Sequence, residues 1–247
     1  MTKSDAHIDN AVNHEGRPTG SDFSTLAAFG LFILIGGASS IGVLLVFREL
    51  TPFWSAALRF TLAALIFWLM VIGRRIPLPR GRALLGAILF GILGVGGSFI
   101  FVYLGLTRTP AALHQTIIAI VPLLTLFFAA AHKLEKITWR GLSGGILALV
   151  GIAIAAGGHM VSGTDLSLPH VLACGLAAVC FAEASIVIKL FPHSHPYATN
   201  AIAMTIGAVM LAAASWLVGE NWVLPATAIT WLVLIYLAVT VALNFLL

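Results

Sequence analysis

Charge is scarce in this chain. Asp, Glu, Lys and Arg make up 9% of its 247 residues, against about 25% in an ordinary soluble domain. A water-facing globular surface is excluded by that figure alone. Cysteine is nearly absent too. Cys174 and Cys180 are the only two, and their spacing puts them well apart around a helix. They read as small apolar packers, with neither a disulfide framework nor a metal pair in prospect. A G-x-S-x-G elbow, an H-E-x-x-H pair, paired aspartates and a Walker loop are all missing, so an intramembrane enzyme is the weakest reading. The lack of an ATP-binding domain sets aside primary pumping. No period-2 alternation is seen, which argues against a β-barrel.

Apolar residues are what the chain has. They are 60% of it, and the mean hydropathy is +1.05. Runs of about 20 apolar residues match the ~30 Å hydrocarbon core of a bilayer. We place about eight of them, near 24–47, 53–73, 83–106, 110–131, 139–157, 168–190, 196–218 and 227–247. Lipid offers no hydrogen bonds, so each run must be a helix that satisfies its own backbone. The fold class is therefore all-α, a polytopic membrane protein. Residues 1–23 form a polar tail of disordered composition. The apolar run behind it is too long for a signal h-region and has no A-x-A site.

The net charge of +4 is no sign of nucleic acid, because the basic residues are sorted by side. Lys3, Arg17, Arg74, Arg75, Arg80, Arg82, Lys133, Lys136, Arg140 and Lys189 fall on one side. Arg48 and Arg108 fall on the other, and Arg59 sits within the second span. The positive-inside rule puts the N-terminus in the cytoplasm.

The chain also repeats itself. FRELTPFWSAALRFTLAALIF (47–67) aligns with FPHSHPYATNAIAMTIGAVML (191–211), placing Phe47 on Phe191, Pro52 on Pro196, Ala57 on Ala201 and Thr61 on Thr205. LLGAILFGILGVGGSFIF (84–101) aligns with TWLVLIYLAVTVALNFLL (230–247). Spans 6, 7 and 8 thus resemble spans 1, 2 and 3. The unit is five spans, an odd number, so the second copy runs in the opposite sense, as in secondary transporters. The register expects a first repeat over 24–157 and a second, incomplete one over 168–247. It also expects about 56 further residues, giving ten helices in all; a truncated chain is the corresponding expectation.

Three stretches carry a family resemblance. They are TPFWSAALRFTLAALIF (51–67), LGLTRTPAALHQTIIAIVPLLTLFFAA (104–130) and LEKITWRGLSGGILALVGIAI (134–154). With their order and spacing, residues 24–247 resemble the EamA-like branch of the drug/metabolite transporter superfamily. The resemblance implies ten helices in two inverted repeats and an inner-membrane permease. It also implies export or exchange of small metabolites, such as amino acids or drug-like compounds. Two features depart from it: GGASS (36–40) stands where many relatives carry a tryptophan-glycine pair, and the last two helices are absent.

Arg59 is the first candidate site residue. It lies about 9 Å into its span at 1.5 Å per residue, with Ser55, Ala56 and Ala63 one turn away. Two readings stay open: an anchor for an anionic substrate group, or a structural pair. Glu183 is the one acid well inside a span, a candidate for proton coupling or an acid reaching the interface beside Lys189. Thr109 and Pro110 read as the cap and first residue of span 4, and Pro122 as its kink. Tyr103, His114, Gln115, Asn200 and Asn244 are candidate cavity residues, with Thr205 and Thr240 behind them. Glu135 belongs to a boundary salt bridge or cap, and His193 and His195 lack the further ligands a metal site needs.

The leading function is therefore secondary transport of small organic solutes. A truncated, inactive remnant is the alternative. No cofactor or metal is expected. The expected partners are the bilayer, a small-molecule substrate and, as an open question, a second copy of the chain.

Overall fold

The computed structural model describes residues 42–43, 45–135 and 167–244, with residues 139, 141, 143–147, 150, 151 and 154 between them. Most of the first expected span, about half of the fifth, and the polar tail lie outside the described residues. No strand occurs among the described residues, and the five helices long and apolar enough to cross a membrane are Pro52–Gly73, Arg82–Leu106, Leu113–Ala131, Leu168–Leu190 and Pro196–Val218. Each overlies an expected span. A shorter apolar helix at Ala228–Leu243 overlies the eighth.

α1 spans Pro52–Gly73. Pro52 presets the helical φ at a position whose N–H has no helical partner anyway. Thr51 holds the N-cap but makes no side-chain cap bond. A carboxylate from far along the chain does that work: Glu220 accepts from the N–H groups of Phe53 at 3.1 Å and Trp54 at 2.8 Å. A negative charge at this end also suits the helix dipole.

α2 (Arg82–Phe90) and α3 (Ser98–Leu106) are one span joined by a π-helical turn over Gly91–Gly97. The joining sequence, GILGVGG, lets backbones meet closely. A Cβ on Gly91 would lie 2.8 Å from the Ala203 Cα of a neighbouring helix. α4 (Ala111–Ile118) and α5 (Val121–Ala131) make the next span, interrupted at Ala119–Ile120. Pro122, second in α5, lacks an N–H and crowds the carbonyl one turn back, which accounts for the break. One detail corrects the sequence expectation. Pro110, with ψ at 138°, is itself the cap residue of α4, and Thr109 is buried just ahead of it.

α6 spans Leu168–Leu190, α7 Pro196–Val218 and α8 Ala228–Asn244. Phe191 is extended (ψ 154°) before Pro192, as a pre-proline residue must be. α7 ends on Gly219 at φ 75°, the left-handed position that favours glycine. The Gly219 and Glu220 N–H groups then close back onto Trp216 and Ser215. That closure aims the Glu220 carboxylate at the start of α1.

α1 packs along α7, the α2–α3 span packs on α6 and α7, and α8 packs on α1. Val46, at the end of the first span, and Leu50, just beyond it, share a core with Leu234 and Leu237 of α8. So span 2 meets 7, 3 meets 6 and 7, and 8 meets 1 and 2. Exchanging spans 1, 2 and 3 with spans 6, 7 and 8 leaves this set unchanged. The matched threonines behave alike as well: Thr61 donates to the Ala57 carbonyl and Thr205 to that of Ala201, both at 2.7 Å.

Candidate functional site

Arg59 lies on the packed stripe of α1. Ser55, Ala56 and Ala63, one turn away, are 4%, 1% and 0% exposed, and Arg59 itself is 6% exposed. Small neighbours let the helices close around it, so the guanidinium is held inside the bundle. Its Cζ sits 4.8 Å from the Phe60 ring centroid and 5.2 Å from that of Phe99 on α3. Those rings meet edge to face at 4.7 Å. Phe99 continues to Tyr103 and Phe181, and Tyr103 to Phe47 and Phe53. The surround is aromatic, fed by α1, α3 and α6.

Nε and Nη2 of Arg59 are buried and have no hydrogen-bond partner among the described residues. The four described acids are engaged elsewhere. Glu49 accepts from Thr227, Glu135 from Lys189 and Glu220 from α1, while Glu183 meets His132. Two ring faces return about 0.5–2 kcal/mol each. Two unmade hydrogen bonds cost about 1–3 kcal/mol each. The surroundings therefore barely compensate the charge they enclose.

A second group of polar residues lies on α5 and α6, toward the end of the bundle that carries Arg74, Arg75, Lys133 and Lys189. His132 Nε2 is 3.4 Å from Glu183 Oε1. His132 Nδ1 is 3.0 Å from the Phe128 carbonyl oxygen, which can only accept. Nδ1 therefore carries a proton. The Nε2–Oε1 contact is attractive only if a second proton lies on His132 or on Glu183. Lys189 donates to Glu135 at 3.1 Å beside this pair, on the exposed surface.

The other candidates are dispersed. Tyr103 is buried in the aromatic cluster around Arg59. His114, on α4, is buried with Nδ1 at 3.1 Å from Cys174 Sγ on α6. Cys174 is thus both an apolar packer and a polar partner, a pairing with no signal in the sequence. Gln115 is exposed. Asn200 is buried and lines a cavity of about 300 Å³ with Gly86, Ile188, Phe191, His193 and Thr199. Pro122 lines a smaller one, of about 180 Å³, with Leu123 and Gly145. Asn244 is the last residue of α8, and its side chain lies outside the described residues. His195 caps α7, accepting from the Tyr197 N–H.

At the far end, two carboxylates tie the chain together. Besides Glu220, Glu49 accepts from the Ala226 N–H at 3.2 Å and the Thr227 hydroxyl at 2.7 Å, at the start of α8. The Thr227 bond, chief among several, holds the Glu49 carboxyl below its ordinary value against an opposing loss of hydration. Trp54 stacks on Trp222 at 4.7 Å and donates to the Val223 carbonyl. Sequence reasoning missed both carboxylates, because each acts on a helix more than 160 residues away.

A sequence model of the EamA-like transporter family matches residues 23–157. An uncharacterized transporter of Archaeoglobus fulgidus is 27% identical over 172 residues, covering 66% of this chain and 57% of that protein. The uncharacterized inner membrane transporter YedA of Escherichia coli K12 is 27% identical over 199 residues, covering 79% and 62%. A probable terminal-alkyne amino-acid exporter of Streptantibioticus cattleyicolor is 28% identical over 156 residues, covering 54% and 52%. The chain thus spans between 57% and 62% of the length of the first two. One solved crystal structure superposes with a TM-score of 0.64 at 21% identity, covering 87% of this chain and 77% of that one. At that identity the likeness is one of fold.

Proposed function

This chain belongs to the EamA-like transporter family, and from that premise we propose that it acts as a secondary transporter of small organic solutes. The observation that carries the reading is the exchange-symmetric packing of the spans. Two halves of opposite sense that pack in this way can rock about a shared site, which is the architecture of alternating access. Residues 24–157 and 168–247 are the two repeats in this reading. The basic end is cytoplasmic, and the cell's inner membrane is the location. The name of one relative, an amino-acid exporter, supports amino acids as the first solutes to try. Arg59 and Tyr103, deep in the core, are the proposed contacts. Asn200 lines an entry at the basic end.

Proton coupling runs through Glu183 in this reading. Glu183 stands 3.4 Å from His132 at the end of α5, the group with which it would exchange a proton in this reading. The charged groups around it are Lys189 and Glu135, already paired with each other. The test is uptake of radiolabelled amino acids by vesicles holding the purified chain, with and without a pH gradient. Glu183→Gln should cut gradient-driven uptake tenfold or more while leaving exchange at equal pH intact. Gradient-driven uptake that survives in that variant removes Glu183 from coupling. No flux in the unaltered chain removes the transport reading.

A further inference from the structure

We infer that Arg59 binds the carboxylate of an organic anion whose remaining body is apolar. The inference rests on the transporter reading and supplies the substrate class for it. A guanidinium recognises partners by its two faces and by its edges. Here Phe60 and Phe99 lie on the same side of it, their ring centroids 4.8 and 5.2 Å from Cζ and 4.7 Å from each other. The unpartnered atoms, Nε and Nη2, belong to one edge. Their N–H bonds run parallel, at the spacing of the two oxygens of a carboxylate. A buried guanidinium committed to structure would spend this edge on a protein acid or carbonyl. Among the described residues neither is found on those two atoms, and every described acid has another partner.

Charge and surroundings narrow the class. Arg59 is the only Lys or Arg well within the expected spans, so a single negative charge is neutralised and a dianion such as a phosphate monoester is not. Phe60 and Phe99 flank the guanidinium, and Phe99 leads on through Tyr103 to Phe47 and Phe53. Rings of that kind receive an aliphatic or aromatic body and give a polyhydroxylated one few partners. The class is therefore an apolar monocarboxylate or a zwitterion with an apolar side chain.

Equilibrium binding to the full chain in bilayer nanodiscs tests this. The probes are benzoate, hexanoate and L-phenylalanine, each beside its neutral amide. At least one carboxylate should bind the unaltered chain, with its amide at least tenfold weaker. Arg59→Met should lose that preference and leave the protein as resistant to unfolding as before, because no described acid pairs the charge it removes and a methionine keeps the contact with the Phe60 and Phe99 rings. Arg59→Lys keeps the charge but loses the fork, and should weaken binding about tenfold. Two results overturn the inference: equal binding of acid and amide, or no carboxylate binding to the unaltered chain. A marked loss of folding in both variants assigns Arg59 to structure and overturns it as well. Carboxylate binding without flux would leave the site standing and retire the transporter reading. Flux unchanged in a folded Arg59→Met would do the reverse.

Discussion

Replacing Glu220 by alanine should cost this protein about 2–3 kcal/mol of stability. The side chain accepts three hydrogen bonds, from the Phe53 N–H at 3.1 Å, the Trp54 N–H at 2.8 Å and the Ser215 hydroxyl at 2.7 Å. A lost N-cap costs about 1 kcal/mol, with a range of roughly 0.5–2. Bonds to a charged acceptor contribute more, about 1.5–3 kcal/mol each when sheltered. The site is part-buried, and water reaching the freed N–H groups recovers some of that. The dipole adds about 0.3–1 kcal/mol. Together these bring the figure to the middle of the range. Unfolding by titrated SDS in mixed micelles is the assay, followed by tryptophan fluorescence, since Trp54 and Trp222 stack beside the site. Glu135→Ala is the control. Its partner Lys189 is about half exposed, and exposed pairs contribute about 0–1 kcal/mol. If Glu220→Ala unfolds within about 0.5 kcal/mol of the unaltered chain, the carboxylate does not hold α1 and α7 together and the reasoning fails.

Two further predictions concern packing and pH. Gly91→Val should destabilise by about 1–3 kcal/mol in the same assay, because its Cβ would meet the Ala203 backbone at 2.8 Å and backbone cannot swing aside. Gly144→Ala, with nothing within 4 Å, should be neutral; equal effects from the two would refute the packing argument. The Glu49 carboxyl is held below its ordinary value of 4.5 by its bonds to Thr227, Thr230 and Ala226. A depressed folded value means that its contribution is present above the unfolded value and lost as pH falls through the folded one. Thr227→Val should raise the Glu49 value toward 4.5, shown by NMR titration of labelled glutamate between pH 3 and 6. An unmoved titration would deny Thr227 its leading part.

The sequence alone determined the solvent of this protein and the helical nature of its long elements. Runs of about 20 apolar residues permit little besides helices in lipid, and the five membrane-length helices lie where those runs predict. Family membership was legible for the same reason: proline, arginine and glycine positions along single helices carry it. Arg59 was conspicuous because a charge in an apolar run has no local explanation. What surrounds it was not legible. Phe99 lies 40 residues away, and only the packing of α3 against α1 brings its ring to the guanidinium. His132 reaches Glu183, Cys174 reaches His114, and Glu220 reaches α1 through contacts between different helices. Periodicity reports which face of a helix is apolar but not which helix will cover it. In lipid that choice falls to close packing of small residues and to polar groups seeking partners. Those pairings, and the unpartnered edge of Arg59, were decided by the tertiary structure.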